Sequence, residues 1–223
     1  MSKIKRMMQD IEREVELTRR WIGKAAFDPR VMAAMQKVPR HEFVPTELLP
    51  FAYDNGPLSI GYGQTISQPY IVALMTDLLN PEPEDVILEI GTGSGYQAAI
   101  LAEVVAKVYS VEIVAELAEE AGARLKRLGY ENVVSRQGDG YFGWPEHAPY
   151  DGIIVTAAAP SVPQPLLDQL KVGARLVIPV GLPYMHQELL VAEKQADGSA
   201  DVRKVLDVAF VPLTGKHPVE SGD

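Results

Sequence analysis

The sequence predicts an α/β fold: a doubly wound, mostly parallel seven-stranded sheet with an antiparallel C-terminal hairpin and an N-terminal helical extension. Three observations support this prediction. Short apolar segments alternate with helical segments from residue 86 onward, which is typical of a parallel sheet covered on both faces. An amphipathic helical pattern precedes them. Residues 188–213 alternate apolar and polar side chains around a turn, as a hairpin does.

The length of the chain suits one well-packed domain and is too short for two. It has 223 residues, of which 47% are hydrophobic. We expect a single domain, in which residues 1–80 form a helical and loop-rich N-terminal part and residues 81–223 form the α/β core. The absence of cysteine excludes thiol catalysis, disulfides and cysteine-ligated metal.

The net charge of −9 is unevenly distributed, because residues 1–40 carry +5 and the remainder carries −14. An acidic body argues against a nucleic-acid partner, since phosphate contacts need clustered Lys and Arg. The N-terminal segment lacks the apolar core of a secretory signal, and no apolar run is long enough to span a membrane. We therefore expect a cytoplasmic protein that binds neither nucleic acid nor membrane. A monomer is the default expectation.

The N-terminal part begins with an amphipathic helix, because apolar or small residues recur at intervals of three and four. These residues are Ile4, Met8, Ile11, Val15, Thr18 and Ile22. Asp28 and Pro29 begin a second helix, Arg30–Lys37, and Thr46–Leu49 forms a single turn. Residues 51–69 are predicted to be an irregular functional segment. Pro69 then starts a helix with the body Tyr70–Leu79.

The core contains seven strand-like segments and three helices. The strands are Val86–Ile90, Val108–Val111, Val133–Val134, Asp151–Val155, Arg175–Val180, Glu188–Glu193 and Val202–Leu213. The helices are Ala98–Val105, Ala115–Leu128 and Leu166–Leu170. Gly129 closes the second helix, Gly138-Asp139-Gly140 forms a tight turn after the third strand, and Gly173 forms a turn before the fifth.

The first two core strands form a βαβ unit that is typical of nucleoside binding. Gly91, Gly93 and Gly95 follow the first strand, and Glu112 follows the second. Ligands of open α/β sheets bind beyond the carboxyl ends of the strands, where both features would lie. Glycines let the backbone approach a ligand closely, and a carboxylate at that position can hold two ribose hydroxyls. The alternative is that the glycines simply join a strand to a helix.

The nucleoside is better described by S-adenosylmethionine than by a dinucleotide. Tyr96 occupies the place of the third glycine of a dinucleotide fingerprint. Glu89 lies two residues before Gly91, where an acid is not expected beside a pyrophosphate. It suits a ligand with positive charge, and S-adenosylmethionine carries a sulfonium and an ammonium group. The pattern from Glu89 to Glu112 resembles the first motif of the class I methyltransferases.

Motifs along nearly the whole chain, from about residue 11 to residue 214, resemble the protein-L-isoaspartate O-methyltransferase family. The most specific is Gly63-Gln64-Thr65-Ile66-Ser67-Gln68-Pro69, which ordinary class I methyltransferases lack. The others are Val38–Pro45, Gly138-Asp139-Gly140, Ala148–Asp151, Ala157–Pro160, Leu167–Lys171, Gly173–Leu176, Ile178–Gly181 and Phe210–Thr214. The resemblance implies a Rossmann-like methyltransferase fold.

The resemblance also implies an activity, which is methyl transfer from S-adenosylmethionine to the free α-carboxyl of L-isoaspartyl residues in damaged proteins and peptides. The ester then collapses to a succinimide, which hydrolyses partly to normal aspartate. A carboxyl with a pKa of roughly 3.5 is already an anion at neutral pH, so this reaction needs no general base. The enzyme has to align that carboxylate with the methyl group and exclude water.

Site residues follow from the same resemblance. Thr65, Ile66, Ser67 and Gln68 would close over cofactor and substrate, with Ser67 as the catalytic position. The remaining cofactor-binding positions would be Glu89, Gly91, Gly93 and Gly95 towards the methionine part, Glu112 at the ribose, Asp139 and Gly140 at the adenine, and Thr214. Tyr70 stands where some members have histidine, and the tail from Gly215 to Asp223 differs from longer family tails.

Ser67 has two interpretations. Its hydroxyl can donate a hydrogen bond to the substrate carboxylate, or it can cap the helix that begins near Pro69. Spacing alone favours the cap, and the family motif favours the substrate.

Two other functions stay open. A methyltransferase with another acceptor would keep the cofactor unit but gives no reason for the segment Gln64–Pro69. A non-catalytic member would bind cofactor or recruit a partner, and the intact Ser67 segment weighs against it. We expect no metal, because the four histidines share no ligand spacing.

Overall fold

The computed structural model describes residues 2–183 and 185–215. Its helices are α1 (Lys3–Ile22), α2 (Pro29–Lys37), α3 (Pro69–Leu79), α4 (Tyr96–Ala102), α5 (Ala115–Arg127) and α6 (Gln164–Asp168). Its strands are β1 (Leu58–Gly61), β2 (Gln64–Ile66), β3 (Val86–Ile90), β4 (Lys107–Glu112), β5 (Val133–Gln137), β6 (Tyr150–Val155), β7 (Leu170–Gly181), β8 (Gln187–Lys194) and β9 (Ala200–Val208).

Seven strands form one sheet in the order β5-β4-β3-β6-β7-β8-β9. The pairs from β5 through to β7 are parallel, whereas β8 is antiparallel to both β7 and β9. The predicted fold class is therefore confirmed. The chain builds outward from β3 to β5 on one side and from β6 to β9 on the other. The strand order thus reverses between β3 and β6, which makes their carboxyl ends the expected ligand site.

The N-terminal extension packs as a helical layer on α3. Met7, Ile11, Val15 and Ile22 of α1 are buried, so the predicted apolar stripe faces the domain. Ser2 accepts a hydrogen bond from the backbone of the first turn, and the helix ends at a left-handed Gly23. Neither this helix nor any other in the described ranges is long and apolar enough to cross a bilayer.

The prediction of an irregular segment at residues 51–69 is wrong in its second half. Strands β1 and β2 pair there as an antiparallel hairpin, with Leu58 opposite Ile66 and Ser59 opposite Thr65. The hairpin was hidden because its strands have only four and three residues. Its turn, Gly61-Tyr62-Gly63, has positive φ at all three positions.

Several element boundaries also differ from prediction. Helix α4 begins at Tyr96, directly after a left-handed Gly95, so it starts two residues earlier and ends three residues earlier than expected. Gly173 lies inside the twelve-residue strand β7 with φ of 80°, at an irregularity where the pairing with β6 passes from Leu170 directly to Arg175. Strand β9 ends at Val208, and the residues that follow it pass beside Ala158, just beyond the carboxyl end of β6. An isolated bridge joins Ala158 to Pro212 there.

Candidate active site

Two adjoining cavities lie at the carboxyl ends of β3, β4 and β6. The first encloses about 740 Å³ of space, counting its open mouth. Its wall combines the hairpin, the glycine loop, the end of β4 and the C-terminal segment: Gln64–Ser67, Val72, Ile90–Ser94, Tyr96, Gln97, Val111–Ile113, Gly140, Thr156, Ala157 and Val211–Thr214. The second cavity encloses about 980 Å³ and shares Thr65, Ser67, Thr156 and Val211 with the first.

The glycine loop after β3 has a backbone that other residues rarely adopt. Gly91, Gly93 and Gly95 have φ of 93°, 52° and 89°. The hydroxyl of Thr156 donates to the carbonyl of Gly91 at 2.6 Å, and a Cβ on Gly91 would lie 2.4 Å from that hydroxyl oxygen. The loop is therefore held against the end of β6, and its first glycine has no room for a side chain.

We predict that Gly91→Ala weakens both stability and ligand binding. A positive φ in a non-glycine residue costs about 1–2 kcal/mol, and the collision with Thr156 displaces the loop from the cavity wall. The control is Gly129→Ala, where φ is 83° and nothing lies within 4 Å of the added Cβ. Melting temperature and S-adenosylmethionine affinity are measured for both. Both proteins should be less stable, but only Gly91→Ala should lose affinity; unchanged affinity in Gly91→Ala would contradict this assignment.

Glu112 ends β4 and links its carboxylate to the backbone of the loop. One carboxylate oxygen accepts from the N–H of Gly93 at 2.8 Å, and the other accepts from the N–H of Val114 at 2.9 Å. The residue is buried and lines the first cavity. Each oxygen retains a further lone pair, so the carboxylate can accept additional hydroxyl hydrogen bonds from a ligand.

Glu89 lies beneath the first cavity and does not reach its wall. It is fully buried in β3, where its Oε2 accepts a hydrogen bond from Ser110 on β4. Its Oε1 has no hydrogen-bond partner in the described chain. Burial raises the pKa of Glu89 to about 8, and the nearby charge of Glu112 adds to that rise. Ser110 also bonds Thr92 at 2.5 Å, which connects the buried acid to the cavity wall.

The burial of Glu89 predicts a pH dependence of stability in the ligand-free protein. The folded state holds a proton, with a pKa of about 8, that the unfolded state loses near 4.5. Stability from this group is therefore complete below the lower value and is lost as pH rises through the higher one. The melting temperature of wild type should fall relative to Glu89→Gln between about pH 5.5 and about pH 8.5. A difference between the two proteins that stays constant over this range would contradict the assignment.

The hairpin places Ser67 where the two cavities meet. Residue Ser67 follows β2 directly, is half-buried and lines both cavities. It does not cap α3: the N-cap position is Gln68, which makes no side-chain cap bond. Instead Asn55 accepts a hydrogen bond from the N–H of Tyr70 at 3.1 Å. The hydroxyl of Ser67 is consequently available to a ligand.

Most of the other predicted site residues line one or both of the cavities. Thr65 lines both cavities, Ile66 the first and Gln68 the second. Gly140 and Thr214 also line the first cavity. A Cβ on Gly140 would lie 2.3 Å from the side chain of Ile90, so this position needs glycine for close packing.

Asp139 and Gly95 are not among the residues of the cavity wall. Asp139 caps the short helix that follows it, by accepting from the N–H of Tyr141 at 3.1 Å. A Cβ on Gly95 would lie 3.2 Å from Leu125, so Gly95 lets the loop pack against α5. Tyr70 has a structural environment, because its hydroxyl bonds Thr18 and its ring stacks on Phe27. The tail beyond Gly215 lies outside the described residues.

The cavity wall also contains Thr156, Gln97 and Tyr96, which were not predicted from the sequence. Thr156 directly follows an apolar strand, and the carboxyl end of a parallel strand is a signal that could have found it. Gln97 donates to the buried Thr76 at 2.8 Å, a contact with no local sequence signature.

Among the described residues, one group of possible metal ligands lies at the edge of the second cavity. It brings together the side chains of Glu188 on β8, Asp207 on β9 and His186, which directly precedes β8. The ammonium of Lys204 lies 2.6 Å from Glu188 and 3.0 Å from Asp207, so both carboxylates already have a cationic partner. The absence of metal from the activity stays a prediction.

Comparison with known proteins identifies relatives over nearly the full length. The sequence model of the protein-L-isoaspartate(D-aspartate) O-methyltransferase family matches residues 3–218. The protein-L-isoaspartate O-methyltransferase 2 of Nitrosococcus oceani is 62% identical over 98% of the chain and 100% of that protein. The protein of the same name from Syntrophobacter fumaroxidans is 62% identical over 95% of the chain and 86% of that protein.

Solved structures show the same similarity. A protein-L-isoaspartate O-methyltransferase superposes with a TM-score of 0.83 at 29% identity, covering 95% of the chain and 66% of its own length. A Plasmodium falciparum protein described as a putative member, in complex with S-adenosyl-L-homocysteine, superposes with a TM-score of 0.74 at 25% identity. That match covers 92% of the chain and 97% of the parasite protein. The chain belongs to the protein-L-isoaspartate(D-aspartate) O-methyltransferase family.

Proposed function

We propose that this protein transfers a methyl group from S-adenosylmethionine to the α-carboxyl of L-isoaspartyl residues in damaged proteins and peptides, and so starts their repair. The observation that carries the proposal is the position of Ser67, which lies where the two cavities meet. One cavity is lined by the glycine loop and Glu112, and the other would take the polypeptide acceptor. A methyl donor and a carboxyl acceptor can therefore meet at this residue.

The first cavity suits S-adenosylmethionine. Glu112 would hold the ribose hydroxyls, since its carboxylate is fixed by the backbone of Gly93 and Val114. Burial keeps Glu89 protonated in the ligand-free protein, and the positive charge of the methionine part would favour its ionised form. Its Oε1 has no hydrogen-bond partner in the described chain. Gly140 and Thr214, which also line this cavity, would bound the adenine. Asp139 would contribute by fixing the turn that presents Gly140.

The second cavity suits the polypeptide acceptor. Its wall is mainly apolar, with Pro57, Ile71, Val208 and Phe210 among its members. Ser67 at its inner end would donate a hydrogen bond to the α-carboxylate and so point one oxygen at the methyl group. Holding two reactants in line can lower a barrier by roughly 7–11 kcal/mol.

The side chains around the junction agree with an acceptor that is already ionised. Within the described residues, the two cavity walls contain only three ionisable groups: Glu112, Tyr96 and Asp207. The carboxylate of Glu112 is bound to the loop, and burial raises the pKa of Tyr96 to about 12. Asp207 is paired with Lys204 at 3.0 Å, so none of the three groups is placed to remove a proton from an acceptor. A carboxylate needs no such base, whereas a hydroxyl or amine acceptor does.

S-Adenosylmethionine supplies an electrophilic methyl group with a neutral sulfide as its leaving group. The chain's part is to bind it, to orient the acceptor through Ser67 and to keep water out. The methyl ester formed is then attacked by the next backbone amide of the substrate, which releases methanol and leaves a succinimide. Hydrolysis of the succinimide returns part of the material to normal aspartate.

The repair reaction can be followed directly. An isoaspartyl peptide is incubated with the protein and S-adenosylmethionine, and its methyl ester, succinimide and aspartyl forms are separated by chromatography. We expect the three to appear in that order and the isoaspartyl form to decline. A peptide that stays isoaspartyl, while S-adenosylmethionine is bound, would refute the proposed function.

A further inference from the structure

Arg40 is a buried cation without a carboxylate partner. Its side chain is fully buried in the turn between α2 and the hairpin. The ion pairs of the described residues do not include it. Burial without a counter-ion is costly, and it lowers the pKa of Arg40. Such a residue needs a reason beyond packing.

The guanidinium of Arg40 is held by backbone carbonyl groups from two segments. Its Nε donates to Ala52 at 2.9 Å, and its Nη2 donates to Ser67 at 2.8 Å and to Gly56 at 3.4 Å. These hydrogen bonds connect the loop of residues 52–56 to Ser67, which lies where the two cavities meet. The planar fork of arginine can serve both segments at once, which the single ammonium of lysine cannot do.

The Arg40 guanidinium also packs over the ring of Tyr96, a residue of the first cavity wall. Its Cζ lies 4.8 Å from the ring centroid of Tyr96, which is a cation–π distance. Tyr96 begins α4 directly after the glycine loop and lines the first cavity. Arg40 therefore fixes the backbone of Ser67 relative to the helix that follows the glycine loop.

The loop held by Arg40 also fixes the chain beyond Ser67. Asn55 lies in this loop and accepts the hydrogen bond of the Tyr70 N–H, at the first turn of α3. The backbone around Ser67 is thus held directly by Arg40 and, three residues later, through Asn55. None of these hydrogen bonds involves Glu112 or the glycines that follow β3.

We propose that Arg40 is a positioning residue for the acceptor: it holds Ser67 in line with the methyl donor by clamping its carbonyl between the 52–56 loop and Tyr96. This inference rests on the proposed function. A displacement of about 1 Å in a group that orients a reacting atom can cost about a hundredfold in rate. Loss of the clamp should therefore reduce turnover of peptide much more than binding of cofactor.

The test compares Arg40→Lys with Val31→Ala. Lysine keeps the cation near Tyr96 and loses the fork. Val31 is buried in α2 and is absent from both cavity walls, so its variant controls for lost stability alone. We expect Arg40→Lys to lower kcat/KM for an isoaspartyl peptide at least about tenfold, with the Kd of S-adenosylmethionine within about threefold. Val31→Ala should change neither by more than about twofold, well below its melting temperature.

Two results would overturn the inference. One is a loss of kcat/KM in Arg40→Lys no larger than in Val31→Ala. The other is a loss of cofactor affinity as large as the loss of kcat/KM. If Arg40→Lys does not fold, Asn55→Ala releases the same loop from α3 and should likewise lower kcat/KM for the peptide much more than the affinity for S-adenosylmethionine. If Asn55→Ala does not lower kcat/KM selectively, that result also contradicts the proposal.

A readout independent of activity separates this inference from the proposed function. Hydrogen exchange of the Ser67 and Gln68 amides should be faster in Arg40→Lys than in wild type or Val31→Ala. If wild type methylates no isoaspartyl peptide, the proposed function fails, and the exchange result still decides whether Arg40 holds this backbone. Unchanged exchange at these amides would refute the clamp.

Discussion

Replacement of Ser67 by alanine is expected to lower kcat/KM for isoaspartyl peptides about 10- to 100-fold, because a hydrogen bond to a charged group contributes about 1.5–3 kcal/mol. The affinity for S-adenosylmethionine should stay within about twofold, since the variant keeps the glycine loop and Glu112 intact. The folded state should lose little stability, because α3 is capped by Asn55 and not by Ser67. Steady-state kinetics and a binding titration measure the two constants separately.

The matched control is Ser59→Ala. Ser59 lies on β1 of the same hairpin, is exposed and is absent from both cavity walls. Its loss should leave kcat/KM for the peptide unchanged, and Ser67→Thr should restore part of the activity because the hydroxyl is kept. If Ser67→Ala and Ser59→Ala behave alike, Ser67 does not orient the acceptor.

Replacement of Glu112 by glutamine is expected to weaken S-adenosylmethionine binding about 10- to 100-fold. Two backbone N–H groups now point at two carboxylate oxygens. Glutamine offers only one acceptor, so its amide nitrogen must face the N–H of Gly93 or of Val114. The loop loses a hydrogen bond and the ribose loses its charged acceptor.

The control for this change is Glu116→Gln, an exposed acid in the first turn of α5. It carries the same loss of charge without any contact to the loop or the first cavity. Calorimetric titration should show a weaker Kd only for Glu112→Gln, and kcat at saturating cofactor should be affected less than Kd. Equal affinity in the two variants would mean that Glu112 does not hold the ribose.

Periodicity predicted the core of the fold correctly. Strands such as Val86–Ile90 are buried on nearly their whole length, and a buried parallel strand leaves a continuous apolar run in the sequence. The glycine loop was also predictable from the sequence, because three positive φ values within five residues require three glycines close together. In both cases the constraint is local, so a few neighbouring residues record it.

The hairpin of β1 and β2 was not predictable from the same signals. Its strands are too short to show alternation, and Tyr62 has a positive φ that the residue type does not announce. The cap of α3 is a comparable case. Asn55 lies 15 residues from the N–H that it accepts, so spacing favoured the wrong residue, Ser67.

The polar contacts that surround the site depend on tertiary structure and left no trace in local patterns. Arg40 reaches Ser67 across 27 residues, and Thr156 reaches Gly91 across 65. From sequence alone, a buried arginine cannot be distinguished from an arginine on the surface. Only the folded chain reveals that its partners are carbonyl groups.

The central claim is that the acceptor is the free α-carboxyl of an isoaspartyl residue, and methyl incorporation tests it most directly. Three peptides of one sequence are incubated with the protein and methyl-labelled S-adenosylmethionine: the isoaspartyl form, the aspartyl form and an isoaspartyl form whose α-carboxyl is amidated. We predict label in the first peptide alone. Label in the aspartyl or amidated peptide, or none in any peptide while S-adenosylmethionine is bound, would contradict the account.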